Sequence, residues 1–225
     1  MSDEKPAFVW DDPFLLDDQL SEEERMIRDM TRRFADERLM PVIVDWNRNE
    51  TFDRDLMKEF GELGFLGGVL EGYGCPGLGH VAYGLLCREL ERADTAFRSA
   101  VGVQSGLAMG AIHSYGSEEQ KQRFLPKMAS GEHIGCFGLT EPDHGSDPSG
   151  MRSRAKKDGA GYRMTGSKIW ITNSPLADVL VVWAKDDDGA IGGFILERGM
   201  DGLQTPKIEG KFGVRASSTG EIVMD

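Results

Sequence analysis

Two stretches of the chain carry residue types and spacings that suit ligand binding. The first is segment 135–147, GCFGLTEPDHGSD, and the second is segment 168–173, KIWITN. The first begins as a short apolar run that predicts a buried strand and continues into a loop rich in turn residues. A strand that ends in a polar, glycine-bearing loop presents backbone N–H groups and hydroxyls at the rim of a sheet. Such a rim suits an anionic or heteroaromatic ligand.

The second stretch alternates Ile169 and Ile171 with Trp170 and Thr172, which is the period of a half-buried strand. One face of this strand would carry an aromatic ring and a hydroxyl together. The same residues also fit an ordinary strand–loop–strand surface, and a single tryptophan is more often part of a core than of a ligand site. The residues alone therefore predict a ligand site at a sheet rim and leave the ligand open.

The elements that must position these stretches fall into two groups. Up to Gly131 the pattern is helical, with capping boxes at Ser21 and Ser117, an N-cap at Asp94 and a kink or division expected at Pro41. After Gly131 the period alternates, and the predicted strands are 134–140, 151–157, 161–166, 168–173, 179–184, 192–197 and 221–224.

Helices followed by strands predict an α+β multi-domain chain. We expect an N-terminal α-helical domain over residues 1–132, beginning with an extended acidic arm over residues 1–20. An antiparallel β domain is expected over residues 133–225, incomplete at its C-terminal end.

The charge of the chain limits its partners. The formal net charge of the 225 residues is −12, and acidic side chains crowd the N-terminus. This balance excludes nucleic acid as a partner, because nucleic-acid binding requires a basic surface. A polyanionic ligand would have to be held by local basic groups against the overall field.

Cysteine, histidine and hydropathy patterns point to a cytoplasmic protein without a metal. The three cysteines form no disulfide framework, and the four histidines show no metal-ligand spacing. The sequence shows no secretory or transit pattern and no apolar run of membrane-spanning length, so we expect cytoplasmic localisation and no membrane span.

The run FGLTEPDHGSD, followed by KIWITNS, resembles the acyl-CoA dehydrogenase family. The segments RELERADTAFRS and GKFGVRASSTGEIVMD resemble the glutaryl-specific branch of that family, and the resemblance extends from about Trp10 to Asp225. It implies a helical N-terminal domain, a middle β domain and a C-terminal helical bundle that would lie beyond residue 225. It also implies FAD as cofactor, glutaryl-CoA as the acyl-CoA substrate, electron-transferring flavoprotein as partner, and a homotetramer.

By this resemblance, the two stretches form a wall of a flavin pocket. Backbone N–H groups near Leu139 and Thr140 would bond the pyrimidine edge, Trp170 would pack on the isoalloxazine, and the Thr172 hydroxyl would lie near N5. Ser146 would contact coenzyme A or a phosphate. The full set of cofactor-binding residues that the resemblance implies is Phe137, Gly138, Leu139, Thr140, Gly145, Ser146, Trp170, Ile171 and Thr172.

The resemblance assigns the acyl end of the substrate to Arg98 and Ser99, which would hold the distal carboxylate, with Glu91 and Ser146 as further substrate-binding residues. An arginine fork suits a carboxylate. Glu91 belongs with members that also decarboxylate the product. Glu91 and Arg98 are seven residues apart and would share a face of an unbroken helix, but a helix break at Asp94 would leave their contact open. Taken alone, both are typical surface charges at a helix end.

The implied reaction removes a proton from Cα of an acyl thioester and a hydride from Cβ, and it converts glutaryl-CoA to crotonyl-CoA with decarboxylation. The resemblance places the base, a glutamate, in the C-terminal bundle. No catalytic residue is therefore assigned within residues 1–225, and the chain alone is expected to be inactive. Two alternatives remain open, namely a non-catalytic flavin or acyl-CoA binding module and a dehydrogenase of another short-chain acyl-CoA.

Overall fold

A computed structural model describes residues 8–225, and the first seven residues of the expected acidic arm lie outside this range. The described part of the arm is irregular, apart from a 3₁₀ turn at Asp17–Gln19. Helices then occupy the chain up to Ala129, and strands occupy it from Gly135 onward. The predicted order of a helical unit followed by a β unit is thus confirmed.

Seven α-helices form the first unit as far as the structure describes it. They are α1 Glu22–Phe34, α2 Met40–Asn49, α3 Leu56–Glu62, α4 His80–Ala93, α5 Thr95–Gly102, α6 Gly110–Tyr115 and α7 Glu118–Ala129. Both predicted capping boxes form, at Ser21 with Glu24 and at Ser117 with Gln120. The Asp94 carboxylate caps α5 by accepting a hydrogen bond from the Ala96 amide at 2.8 Å.

Two short π-helical segments each lie directly between two α-helices, with no loop on either side. Ala35–Leu39 links α1 to α2, and Val103–Met109 links α5 to α6. Pro41 lies in the first turn of α2, where its missing N–H leaves no intrahelical bond broken. The predicted division of the first helix near Pro41 is therefore confirmed, and the wider turn just before it marks the division.

Seven strands form one curled sheet in the described chain. They are β1 Gly135–Gly138, β2 Arg154–Asp158, β3 Gly161–Thr172, β4 Val179–Lys185, β5 Ile191–Glu197, β6 Leu203–Gln204 and β7 Thr219–Met224. The order is β1-β4-β2-β3-β7-β6, and β5 pairs with β4 outside this sequence of neighbours. Most pairs are antiparallel, as predicted, but β1 runs parallel to β4, and the two-residue β6 has no counterpart among the predicted strands.

The predicted strands 161–166 and 168–173 are one strand, β3, interrupted by a bulge. Its register against β7 shifts between Lys168 and Ile171, and Trp170 adopts a left-handed φ of 62°. A bulge inserts an extra residue and redirects the side chain there. The alternation predicted for Ile169 to Thr172 is broken at this point, and Trp170 is 58% exposed.

Buried polar side chains join the helical unit to the sheet. The side-chain Oε1 of Gln104 accepts from the backbone N–H of Gly135 at 2.6 Å. Its Nε2 donates to the backbone carbonyls of Met128 and His133. The side-chain Nδ2 of Asn173 donates to the backbone carbonyls of Ala100 and Gly135, both at 3.3 Å. Because these residues lie in the interior, each bond also satisfies a group that water cannot reach. The start of β1 and the end of β3 are thereby fixed against α5 and the π segment after it.

Replacing Gly131 by alanine is expected to lower the free energy of unfolding by about 2–4 kcal/mol. Gly131 turns the chain after α7 at φ +74°, and a Cβ built there overlaps the Met57 carbonyl oxygen. Gly159 is the matched control, since its φ is +60° and a Cβ there meets nothing within 4 Å. Urea unfolding should show a loss of only about 1 kcal/mol for Gly159→Ala. Equal losses in the two variants would contradict this reading of Gly131.

Candidate functional site

A cleft of about 420 Å³ opens where the helical unit meets the bulge of β3. It brings Ser99 of α5 next to Trp170 and Thr172 of β3, which are far apart in sequence. The described residues that line it are Thr95, Ser99, Trp170, Thr172, Lys211, Phe212, Gly213, Val214, Ser217 and Thr219. A larger groove of about 970 Å³ lies between α6 and β5 and includes none of the predicted site residues.

The strained backbone of Trp170 is held from both sides. The Ile169 amide donates to the Thr140 carbonyl at 2.9 Å, and the Ile171 side chain is buried in the sheet core. The backbone N–H of Asn173 donates to the Ser218 carbonyl at 2.7 Å. A non-glycine residue at positive φ persists only where its surroundings impose it, and such residues cluster at ligand sites. The bulge thus holds an indole ring at the wall of the cleft.

The loop between β1 and β2 lies against this bulge and is closed by a buried carboxylate. The amides of Arg152 and Ser153 donate to Glu141 at 2.6 and 2.9 Å, so residues at the two ends of the loop are joined. Lys168 donates to the same carboxylate at 2.8 Å and to the Leu139 carbonyl at 3.1 Å. Among residues 8–225, no hydrogen-bond acceptor contacts the Thr140 N–H, so it is available to a ligand.

The electrostatics of this buried pair favour an ionised carboxylate. Burial by itself raises the pKa of Glu141, but hydrogen bonds from the Arg152 amide, Lys168 and Ser153 outweigh burial and lower that pKa to about 2. Burial lowers the pKa of Lys168, and the Glu141 carboxylate opposes that change. We therefore treat Lys168 and Glu141 as an ion pair at neutral pH, with the charge of each compensated by the other.

Two of the residues predicted to hold the acyl end, Glu91 and Arg98, belong to a hydrogen-bonded network at the start of α5. The contact between Glu91 and Arg98, which their spacing in the sequence left open, forms across the helix break at Asp94. Arg98 Nε donates to Glu91 Oε2 at 2.7 Å. The Thr95 hydroxyl donates to Glu91 Oε1 at 2.6 Å. These bonds, from Thr95 first and then Arg98, lower the pKa of Glu91. The two terminal nitrogens of Arg98 contact no acceptor in the part of the chain that the structure describes.

Some predicted cofactor residues lie outside the cleft. Phe137 packs against Trp183, with ring centroids 5.8 Å apart, and Gly138 sits so close to Ile222 that a Cβ would lie 2.8 Å from its side chain. Ile171 belongs to the sheet core. The side chains of Phe137 and Ile171 therefore do not line the cleft, and Gly145 and Ser146 lie on the exposed loop beyond it. The contacts assigned to these residues stay predictions.

The wall formed by segment 211–219 was not predicted from the sequence. Lys211 Nζ donates to the carbonyls of Val214 and Ser217, and to the Thr219 hydroxyl at 3.1 Å. Burial lowers the pKa of Lys211. The mixed small and charged residues of this segment have no strand or helix period, and only the family resemblance included them. The place of the segment in the site depends on long-range contacts.

Comparison with known proteins identifies the family of the chain. Residues 21–132 match the family model described as "Acyl-CoA dehydrogenase, N-terminal domain", and residues 136–225 match "Acyl-CoA dehydrogenase, middle domain". The chain therefore belongs to the acyl-CoA dehydrogenase family, which confirms the family and the fold predicted from the motifs.

Three relatives illustrate the range of similarity. The mitochondrial isovaleryl-CoA dehydrogenase of Pongo abelii is 40% identical over 215 residues, which cover 92% of this chain and 51% of that protein. The short-chain specific acyl-CoA dehydrogenase of Clostridium acetobutylicum is 34% identical over 215 residues, 93% of this chain and 57% of that protein. The crystal structure of a glutaryl-CoA dehydrogenase from Mycobacterium smegmatis in complex with FADH2 is 50% identical, with a TM-score of 0.92, over 94% of this chain and 55% of that one.

The chain thus spans about half the length of the relatives it matches. None of the helices within residues 8–225 is long and apolar enough to cross a membrane. No group of three or more His, Cys, Asp or Glu side chains that could hold a metal ion occurs in the same range.

Proposed function

We propose that this chain forms the flavin-contacting and acyl-binding part of an FAD-dependent acyl-CoA dehydrogenase of the glutaryl type. The observation that carries the proposal is the cleft that joins Trp170 and Thr172 to Ser99, beside an Arg98 whose terminal nitrogens have no acceptor among the described residues. The complete protein would convert glutaryl-CoA to crotonyl-CoA, with electron-transferring flavoprotein as electron acceptor, and a cytoplasmic homotetramer is part of this proposal.

The residues present fit the isoalloxazine of FAD. An indole ring held outward by a strained bulge offers a flat apolar surface, and a hydroxyl lies beside it at Thr172. The unengaged Thr140 N–H supplies a donor next to the same bulge, as the contact of Ile169 with Thr140 shows. An aromatic surface combined with fixed N–H donors matches a heteroaromatic ligand that gains negative charge when reduced.

The chain's own residues orient the substrate. Glu91 fixes the Nε side of Arg98, which leaves the terminal nitrogens to form a two-point contact with the distal carboxylate of a dicarboxylic acyl chain. Ser99 adds a hydroxyl on the same turn of α5. Holding the acyl chain at its far end aligns the Cα–Cβ bond with the wall at Trp170. Bound FAD would supply the acceptor for the hydride that leaves Cβ.

A dehydrogenase of another short-chain acyl-CoA is the competing proposal. It is supported by the 40% identity to an isovaleryl-CoA dehydrogenase. An uncharged acyl chain would, however, offer the terminal nitrogens of Arg98 no acceptor, so this arginine would contribute little to its binding. The two unused terminal nitrogens therefore favour a substrate with a distal carboxylate.

Removing the Trp170 ring is expected to weaken FAD binding about tenfold or more, because stacking on an aromatic side chain is worth roughly 1–3 kcal/mol for a flat heterocycle. Titration of the chain with FAD, followed by flavin fluorescence, would measure this for Trp170→Ala, and Thr172→Ala should shift the flavin spectrum. Trp183→Ala is the matched control, because it removes a half-buried indole ring that lies outside the cleft. Unchanged FAD affinity and spectrum in both cleft variants would contradict the proposed flavin wall.

A further inference from the structure

An ion pair is buried directly behind the proposed flavin wall. The side chain of Lys168 is 0% exposed and that of Glu141 is 5% exposed, and their closest atoms are 2.8 Å apart. Space around Lys168 is tight, since a Cβ at Gly138 would lie 3.4 Å from its Cγ. A buried ion pair is weak evidence for stability, because desolvation can outweigh the attraction and an apolar pair of similar volume often does as well. Stability alone therefore does not explain the Lys168–Glu141 pair.

The pair acts on the peptide that carries the free donor. Lys168 Nζ donates to the Leu139 carbonyl at 3.1 Å. In a trans peptide the C=O and the following N–H point in opposite directions, so the Thr140 N–H points away from Lys168. The next carbonyl along the chain, that of Thr140, accepts from the Ile169 amide, so Thr140 is held against the strand that carries Trp170. The carbonyl of the Leu139–Thr140 peptide is thus bonded to a buried cation, and the N–H of the same peptide remains for a ligand.

A cation on the carbonyl side also changes the peptide electronically. Hydrogen bonds in series polarise one another, and in a low-dielectric interior the effect is larger than in water. A positive charge at Leu139 O draws electron density toward the oxygen and makes the Thr140 N–H a stronger donor. Glu141 limits this effect by placing a carboxylate near the same ammonium, and it also closes the loop through the amides of Arg152 and Ser153.

We propose that Lys168 and Glu141 are positioning residues for the flavin, which fix the Leu139–Thr140 peptide and set the donor strength of its N–H toward the electron-rich edge of the ring. The inference rests on the proposed function, because it takes FAD as the ligand. Neither side chain contacts the ligand in this scheme. The cation at the Leu139 carbonyl, limited by the Glu141 carboxylate, should set how strongly the reduced, more negative flavin is stabilised relative to the oxidised form.

The test uses two variants whose effects on the midpoint potential of bound FAD should have opposite signs. K168M/E141Q removes the cation and keeps an amide acceptor for the loop, so FAD affinity should fall about tenfold and the potential should become more negative. E141Q alone leaves the cation uncompensated, so at pH 6 the potential should become less negative. R123M/E197Q is the control, because it removes an exposed ion pair between α7 and β5 and should change neither quantity.

The outcomes separate the two proposals. A wild-type chain that binds no FAD would overturn the proposed function together with this inference. If the wild type binds FAD and both pair variants shift the potential in the same direction, or leave it unchanged, the inference alone is overturned, because loosening of the loop cannot produce opposite signs. If K168M/E141Q does not fold, the sign of the shift in E141Q still decides the question.

Discussion

Replacing Arg98 by alanine in a full-length protein that carries this chain is expected to lower kcat/KM for glutaryl-CoA about 10- to 150-fold more than kcat/KM for butyryl-CoA. A charge-assisted hydrogen bond to a carboxylate is worth about 1.5–3 kcal/mol, and butyryl-CoA has no distal carboxylate with which to form it. The loss should therefore appear in the ratio of the two specificity constants.

Two comparisons make this result specific. Arg123→Ala removes an arginine that pairs with Glu197 on an exposed surface away from the cleft, so it should leave the ratio unchanged. Glu91→Gln keeps an acceptor for Arg98 Nε, so it should change the ratio less than the loss of Arg98 itself. A fall by the same factor for both substrates in Arg98→Ala would show that Arg98 does not hold the carboxylate.

The 225-residue chain by itself is expected to leave bound flavin oxidised when glutaryl-CoA is added. Proton abstraction from Cα needs a carboxylate within hydrogen-bond reach of that carbon. None of the described residues that line the cleft is an aspartate or a glutamate. Glu91, near the end of α4, accepts hydrogen bonds from Thr95 and Arg98, and these contacts lower its pKa and make it a weak base. The proposed function therefore requires a base from outside these residues.

The measurement is anaerobic mixing of the chain, FAD and glutaryl-CoA, followed by the absorbance of the oxidised flavin band. The control is a full-length protein that carries this chain, which should lose that band under the same conditions. Bleaching by the short chain at a rate close to the full-length rate would mean that a base lies within these 225 residues. No bleaching by either protein would favour the non-catalytic binding module instead.

Local signals in the sequence predicted much of the helical unit. The capping boxes at Ser21 and Ser117, the cap at Asp94 and the division at Pro41 depend on neighbours within a few residues, and all of them form. The β unit was predicted less completely. The bulge at Trp170 and the parallel pairing of β1 with β4 depend on partners far along the chain, which periodicity does not report.

The residues of the site were likewise predicted only in part. Motif resemblance identified Ser99, Trp170 and Thr172, and the structure places all three on one cleft. Neither periodicity nor spacing indicated that Lys168 is buried against Glu141, because in a half-buried strand a lysine is expected to reach solvent. The wall formed by segment 211–219 likewise depends on backbone and hydroxyl acceptors that only the folded loop brings around Lys211.

We propose above all that this cleft serves a dehydrogenase for an acyl-CoA with a distal carboxylate. The most direct test of this proposal is the steady-state kcat/KM of a full-length protein that carries this chain, measured with glutaryl-CoA, isovaleryl-CoA and butyryl-CoA and an electron acceptor in excess. The proposal predicts that glutaryl-CoA has the highest value, by at least about tenfold, because only glutaryl-CoA can pair with Arg98. A higher value for isovaleryl-CoA or butyryl-CoA would contradict it.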